Sequence, residues 1–372
     1  MTTLGVIRWD GNNDGENGGY ENENLSPEIW AHKDSWFFTR SGTTITNNAN
    51  TQAIMDAEID MASRNGIDYF VPLLDAREED FMSPIGVVPY SGMNCFFKRY
   101  LTSSKIGQIK VAVMFQGGFA GFHHAATTDN AADWPDFIEV VIGWMTQSWY
   151  QKVLTNRPLL YWLSLPGLVT SHTNNANALT ALNLLRSEAI AAGLGDPYMV
   201  ALDGTAALSA TLEMDARGNY AVSGPHTTEA EFPYSTLTGI AEARWASNLA
   251  ADGLDLVPIL THGWDLRPRQ GNQNPPSYYD YVAGDWEYYT LPTPAQHAAH
   301  VQAGFDCLVT NAARCPAETV LEYAWNENSE GGFVIPTRLA GGAILQQIGV
   351  LRGRQRESHR ALRSRGIQLS SR

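Results

Sequence analysis

Thr319-Val320-Leu321-Glu322-Tyr323-Ala324-Trp325-Asn326-Glu327-Asn328-Ser329-Glu330-Gly331-Gly332 runs from an apolar stretch into two carboxylates and then a glycine pair. The run 319–324 reads as a buried strand. Successive strand side chains point to opposite faces, so Glu327 and Glu330, three positions apart, would diverge if the strand continued through them. The chain is therefore expected to leave the strand between them. Asn328 and Ser329 favour turns, and Gly331-Gly332 accepts backbone angles that other residues avoid, so a loop at the strand's carboxyl end can turn both acids into one cavity. Two acids in one pocket push their pKa values apart, which suits one to act as base and the other as acid. A bare Glu-x-x-Glu would be no more than a solvated acidic turn. Trp325-Asn326 before this one and Gly331-Gly332 after it set it apart.

Upstream, the same sequence of apolar run followed by polar loop recurs. Strand-like runs lie at 4–9, 68–74, 110–115, 159–163, 198–202, 215–220 and 256–261, and the run 319–324 makes the eighth. Helical patterns lie between or after them at 51–65, 92–102, 133–146, 176–192, 235–251, 294–311 and 338–351. The first of these has apolar residues at helical spacing and stops at Gly66. Strands alternating with helices predict a parallel sheet wrapped by helices, and eight of them predict a single (β/α)8 TIM barrel with long strand-to-helix loops. The stretch 10–50, rich in Asn, Gly and aromatics, is the longest such loop, and long loops in compact domains are usually functional. No internal repeat or Pro/Gly/Ser-rich linker divides the chain, so residues 1–351 are expected to form one barrel domain, followed by a basic tail at 352–372.

At 372 residues with a net charge of −14, the chain has room for a large core and lacks the overall basic character that phosphate binding requires. Nucleic acid is therefore not an expected partner. The tail holds seven Arg against one Glu, so the remainder is more acidic than the whole. That tail reads as a solvated helix or loose end, with docking to an acidic partner as the alternative. Residues 4–9 have neither a basic region before them nor the length of a signal peptide, and no run is long enough to span a membrane. The expectation is a protein without a membrane segment, cytoplasmic or virion-associated. Cys95, Cys307 and Cys315 have no metal-ligand spacing and read as reduced structural thiols, with a Cys307–Cys315 pairing left open.

In a TIM barrel the residues just after each strand face the substrate. Here they are Trp9-Asp10 after the first strand, Asp75 after the second, Gln116 and His123-His124 after the third, Asn219-Tyr220 after the sixth, and His262-Gly263-Trp264-Asp265 with Arg267 after the seventh. Glu327 and Glu330 follow the eighth, preceded by Trp325-Asn326. A sugar presents hydroxyls around a ring with apolar faces, so its site needs aromatic platforms together with acids, amides and arginines. This rim supplies both, and carbohydrate is the expected partner. Each residue also has a plainer role: Trp9 and Trp264 as core, Asp10 and Asp75 as turn or helix caps, Arg267 and Arg269 as ion-pair partners of a nearby carboxylate. The adjacent histidines 123 and 124 diverge and have no third ligand, so no metal is expected. No phosphate-cradling glycine loop, Gly-x-Ser-x-Gly elbow or His-Glu-x-x-His is present, and no cofactor is expected.

Three stretches resemble the glycoside hydrolase family 99-like group, which includes endo-α-mannosidases and relatives from surface-polysaccharide gene clusters. They are Gly66-Ile67-Asp68-Tyr69-Phe70, Thr261-His262-Gly263-Trp264-Asp265-Leu266-Arg267-Pro268-Arg269 and Ala324-Trp325-Asn326-Glu327-Asn328-Ser329-Glu330-Gly331-Gly332. Weaker likeness lies in Asn156-Arg157-Pro158-Leu159-Leu160 and Asp215-Ala216-Arg217-Gly218-Asn219-Tyr220. The resemblance implies a (β/α)8 barrel in which Glu327 deprotonates the sugar's 2-hydroxyl and Glu330 protonates the leaving oxygen, with retention at the anomeric carbon. It further implies that Tyr220 and Arg267 line the sugar pocket. The family usually has Trp where this chain has Asn328, so the platform beside the acids is expected to differ.

The leading expectation is a retaining glycoside hydrolase that cuts an internal bond of a polysaccharide or glycan, with catalytic Glu327 and Glu330. Trp9, Asp10, Asp75, Tyr220, Trp264, Asp265, Arg267, Trp325 and Asn326 are the expected substrate contacts. Two alternatives stand beside it: a sugar-transferring protein of surface-polysaccharide biosynthesis, and a non-catalytic carbohydrate-binding protein, for example of a phage particle.

Overall fold

The computed structural model describes residues 2–8, 35–41, 44–47, 51–76, 94–117, 130–224, 229–251, 253–267, 287–338 and 341–364. The barrel strands are β1 (Thr3–Arg8), β2 (Tyr69–Leu74), β3 (Lys110–Val111 and Met114–Gln116), β4 (Arg157–Leu163), β5 (Tyr198–Leu202), β6 (Ala216–Gly218), β7 (Asp255–Leu256 and Ile259–Thr261) and β8 (Thr319–Tyr323). They are joined by parallel pairing from β1 round to β6. The first half of β7 continues the ladder from β6 and its second half pairs β8, which returns to β1, so the ring closes. The two halves of β7 flank Val257-Pro258, and Pro258 has no N–H to give the ladder. The expected barrel is the observed one, with β6 shorter than its run of apolar residues foretold.

Alternation along the strands sorts the side chains into two layers. The Tyr69 hydroxyl meets those of Tyr161 and Thr319 at 2.8 and 2.7 Å inside the barrel. Its ring lies where a Cβ on Gly5 would stand, so β1 needs glycine there. Burial pushes the Tyr69 and Tyr161 phenols up, leaving them neutral hydrogen-bonding groups. The outward layer meets the helices. Gly304 of helix Pro294–Thr310 lets that helix approach Leu260 and Val320 closely. Helix Gln52–Arg64, capped by Thr51, buries Met55, Ile59 and Ala62. Thr293 starts helix Pro294–Thr310 with a capping box to Gln296.

The base of the barrel is tied by charge. Arg157, the first residue of β4, reaches Asp215, just before β6, at 2.5 Å, joining the two weaker stretches of family likeness away from the strand ends that carry the acids. The last helix, Ala343–Ser364, runs without a break across position 352, where the basic tail was expected to begin. Arg352 is buried, and donates to Gly66 O at 3.2 Å, Thr2 O at 3.0 Å and Asp68 at 2.5 Å.

Short elements appear that the apolar pattern did not announce. Helices Leu165–Ser171 and Ala206–Thr211 follow β4 and β5, and a hairpin, Phe38–Ser41 with Thr44–Asn47, lies within the long first loop. Each is too short to show a period. Among the described residues no helix is long and apolar enough to cross a membrane.

Candidate active site

Tyr323 ends β8 facing the barrel interior, and Glu322 before it faces helix Pro294–Thr310. The chain then leaves the strand. Asn326–Glu327 pairs antiparallel with Gly332–Phe333, and a single 3-10 turn, Asn328–Glu330, carries the reversal. Gly331 closes that turn at φ 81°, in the left-handed region that glycine adopts without cost. A Cβ on Gly332 would overlap the Tyr323 ring, so the second glycine lets the returning strand lie against that tyrosine.

This bend brings the two acids to a pair of tyrosines. The Tyr220 hydroxyl, at the end of β6, donates to Glu327 Oε1 at 2.6 Å. The Tyr323 hydroxyl donates to Glu330 Oε2. The two rings meet edge to face with centroids 5.2 Å apart. Glu327 and Glu330 are 2% and 5% exposed, so neither is the solvated acid of an ordinary turn. Burial above all, then the charges of Glu327 and Glu330, hold the Tyr323 phenol well above its ordinary range, so it donates rather than ionises.

The seventh-strand loop is laced to this turn through the backbone. Asp265 N donates to Glu330 O at 2.7 Å, and a ring nitrogen of His262 lies 3.3 Å from Gly331 O. A Cβ on Gly263 would stand 2.5 Å from Gly331 O, so the close approach needs glycine there. The two longest stretches of family likeness are thus neighbours in space. Trp264 lies 6.3 Å from Tyr323 between ring centroids. Asp265 is held in a two-point pair with Arg267, each bond 3.0 Å, and the Arg267 guanidinium covers the Tyr288 ring at 3.3 Å. Arg267 therefore has the carboxylate partner that its plainer role supposed.

The remaining expected contacts divide. Asp75 is buried at the end of β2, and its main chain is bracketed by Asn94, 3.1 Å on the N–H and 2.9 Å on the carbonyl. Asn326 is buried at the foot of the turn, its backbone opposite Phe333. Trp325 is a correction. It is fully buried outside the barrel, edge-on to Phe70 at 5.2 Å, with its indole N–H donating to Glu58 Oε1 at 3.0 Å. Glu58 also pairs with buried Arg8 at 3.4 Å, so Trp325 is a core side chain that presents no face to a sugar. Trp9, Asp10, His123, His124 and Arg269 lie outside the described residues. Asn328, at the position where the resembling family has Trp, is 4% exposed, and its carbonyl accepts from Gly331 N at 3.2 Å.

Sequence reasoning missed Asp203, which follows β5. It accepts from Tyr220 N at 3.0 Å and from Asn219 Nδ2 at 2.8 Å, and so sets the segment that carries Tyr220. An Asp directly after a strand was the available signal. It also missed the support behind β8: Glu322 and His297, both buried, lie 3.3 Å apart, and His297 lies 5.5 Å between ring centroids from His262. Among the described residues no three His, Cys, Asp or Glu side chains gather in a metal-holding group.

The chain is similar to a solved structure described as a glycoside hydrolase-like protein, with a TM-score of 0.57 and 11% identity over 94% of this chain and 93% of that one. It is similar as well to the family 99 endo-α-mannosidase of Bacteroides thetaiotaomicron in two structures. These match at TM-scores of 0.55, in complex with bis-tris-propane, and 0.53, with 11% and 12% identity, each over 96% of this chain and 98% of that one. No family model matches the chain, and no curated protein matches it by sequence. At such identity the likeness is one of architecture: the chain folds as a (β/α)8 barrel similar to the barrels of those structures.

Proposed function

We propose that the chain is a retaining glycoside hydrolase that cleaves an internal bond of a polysaccharide or glycan, with Glu327 and Glu330 as its catalytic pair. The observation that carries this reading is the convergence of the two buried acids on the Tyr220–Tyr323 pair after β8. Two carboxyl groups on one cluster, one a base and the other an acid, suit the breaking of a glycosidic bond.

By the resemblance, Glu327 takes the proton of the sugar's 2-hydroxyl while that oxygen bonds to the anomeric carbon. The anomeric bond to the leaving oxygen breaks, and Glu330 supplies the proton that oxygen needs. Water then adds at the anomeric carbon, giving a proton to Glu330, and the 2-oxygen recovers its proton from Glu327. Two inversions give retention. Tyr220 orients Glu327, and Tyr323 orients Glu330 without ionising. The remaining expected contacts, Trp9, Asp10, Asp75, Trp264, Asp265, Arg267 and Asn326, belong to this proposal as the sugar-binding rim.

The test is incubation with mannans, capsular polysaccharides and lipopolysaccharide glycans, scored by new reducing ends. The native chain is expected to cut at least one class and Glu330→Gln none. Undiminished cutting by that variant would overturn the assignment of the acid. Calorimetric binding with no turnover would favour a non-catalytic sugar-binding protein, and turnover only with an activated donor would favour sugar transfer.

A further inference from the structure

The end of helix Pro294–Thr310 folds back on itself. Asn311 donates to Cys307 O through its backbone N–H and its side-chain amide, both at 3.0 Å, and the same amide lies 3.6 Å from Cys307 Sγ. A 3-10 turn, Ala312–Arg314, then reverses the chain, with Arg314 N bonded to Asn311 O at 2.8 Å. Cys315 thus returns against the last turn of the helix, where the two thiols are hydrogen-bonded to each other. Cys315 is buried, whereas Cys307 is only partly buried. Glu318 N bonds to Cys315 O at 3.1 Å, and β8 starts at Thr319, so the pair sits where the chain enters the strand that carries the acids.

We infer that Cys307 and Cys315 are a modification site, a dithiol that peroxide-class oxidants convert to a reversible disulfide. The thiolate is the reactive form of cysteine. The Cys315 thiol and then the Asn311 amide, both bonded to the Cys307 sulfur, hold Cys307 below the usual thiol range, at about 7, while its bond to Cys307 and its burial push Cys315 up. Cys307 is therefore the attacking sulfur. It bonds to one oxygen of hydrogen peroxide as the O–O bond breaks, and the departing hydroxide leaves as water after taking a proton. Cys307 is then a sulfenic acid. The Cys315 sulfur bonds to it, the S–O bond breaks, and the Cys315 proton leaves with that hydroxide as a second water. Two electrons pass from the thiols to the peroxide, and a dithiol reductant reverses the step by exchange. The bond would staple the helix end to the entry of β8. It lies at the opposite end of the strand from Glu327 and Glu330 and is independent of what they do.

The full chain is treated with dilute hydrogen peroxide, its remaining thiols are alkylated after denaturation, and intact mass and a tryptic map are measured. Trypsin cuts after Arg314, between the two cysteines, so their peptides stay joined only through a disulfide. The expected result is loss of the mass of two hydrogens, joined peptides, alkylation at Cys95 alone and full reversal by dithiothreitol. Cys315→Ser should instead gain the mass of one oxygen on Cys307. The inference is overturned if the native chain gains oxygen at Cys307 while Cys315 stays alkylatable. It is equally overturned if all three thiols survive peroxide that oxidises a free cysteine peptide.

Discussion

Tyr220 shows how a residue half-exposed at a strand end acquires a role from what it touches. Its hydroxyl is bonded to Glu327 at 2.6 Å, and a hydrogen bond to a charged group contributes about 1.5–3 kcal/mol. Tyr220→Phe is therefore expected to lower kcat/KM by about 10- to 150-fold on whichever glycan proves to be cut, with the fold retained at the assay temperature. An unaltered kcat/KM would remove Tyr220 from the site. The bend after β8 that carries the two acids, and the glycine pair that closes it, were legible in the sequence, because strand alternation and turn chemistry are local. Trp325 was misread for the same reason. Its neighbours in sequence form the turn after β8, but its partners are Glu58 and Phe70, distant in the chain and on the outer face of the barrel.

Between β8 and helix Pro294–Thr310 lies a buried pair whose two members are both neutral near pH 6. Burial pushes the Glu322 carboxyl up to about 8 from 4.5, and burial lowers His297 to about 3 from 6.5. Glu322 binds more protons folded than unfolded, so its contribution is full below about pH 4.5 and is lost as pH rises to about 8. His297 binds fewer protons when folded, so its contribution is full above about pH 6.5 and is lost as pH falls to about 3. The two slopes oppose each other between about pH 4.5 and 6.5, leaving a plateau there and a fall on each side. Melting temperatures across this range should show the fall from about pH 6.5 to 8, and Glu322→Gln should abolish that alkaline limb alone. If the limb persists in the variant, Glu322 is not its source. The elements themselves were legible from period and caps. This pair was not, because Glu322 sits in an apolar run and His297 within a helix, and only packing makes them partners.

At the scale of the whole chain, Arg352 ties the last helix to the first strand and to the loop before β2. Its guanidinium reaches Thr2 O, Gly66 O and Asp68, and lies 5.1 Å from the Phe305 ring centroid. A Cβ on Gly66 would stand 2.6 Å from Arg352 Cβ, so this crossing also depends on glycine. Arg352→Ala is expected to cost about 1–3 kcal/mol in denaturant unfolding by leaving those acceptors unpaired. Activity below the melting temperature should be kept, since the contact is at the base of the barrel. A variant as stable as the native chain would show that the helix does not depend on this tie. Arginine-rich composition suggested a tail, and composition carries no information about which arginine finds a buried carbonyl.

The sequence by itself determined the alternation of strands and helices, the ring of eight, and the bend after β8 that turns two acids out of the strand. Each of these follows from period, turn residues and chain length, which neighbouring positions carry among themselves. Only the tertiary structure decided that the acids meet Tyr220 and Tyr323, that Arg267 is engaged with Asp265, that Trp325 faces the core, and that Arg352 belongs to the barrel. Those outcomes depend on which residue of a distant element arrives at a given point, and that is fixed by closing the ring and packing helices against it.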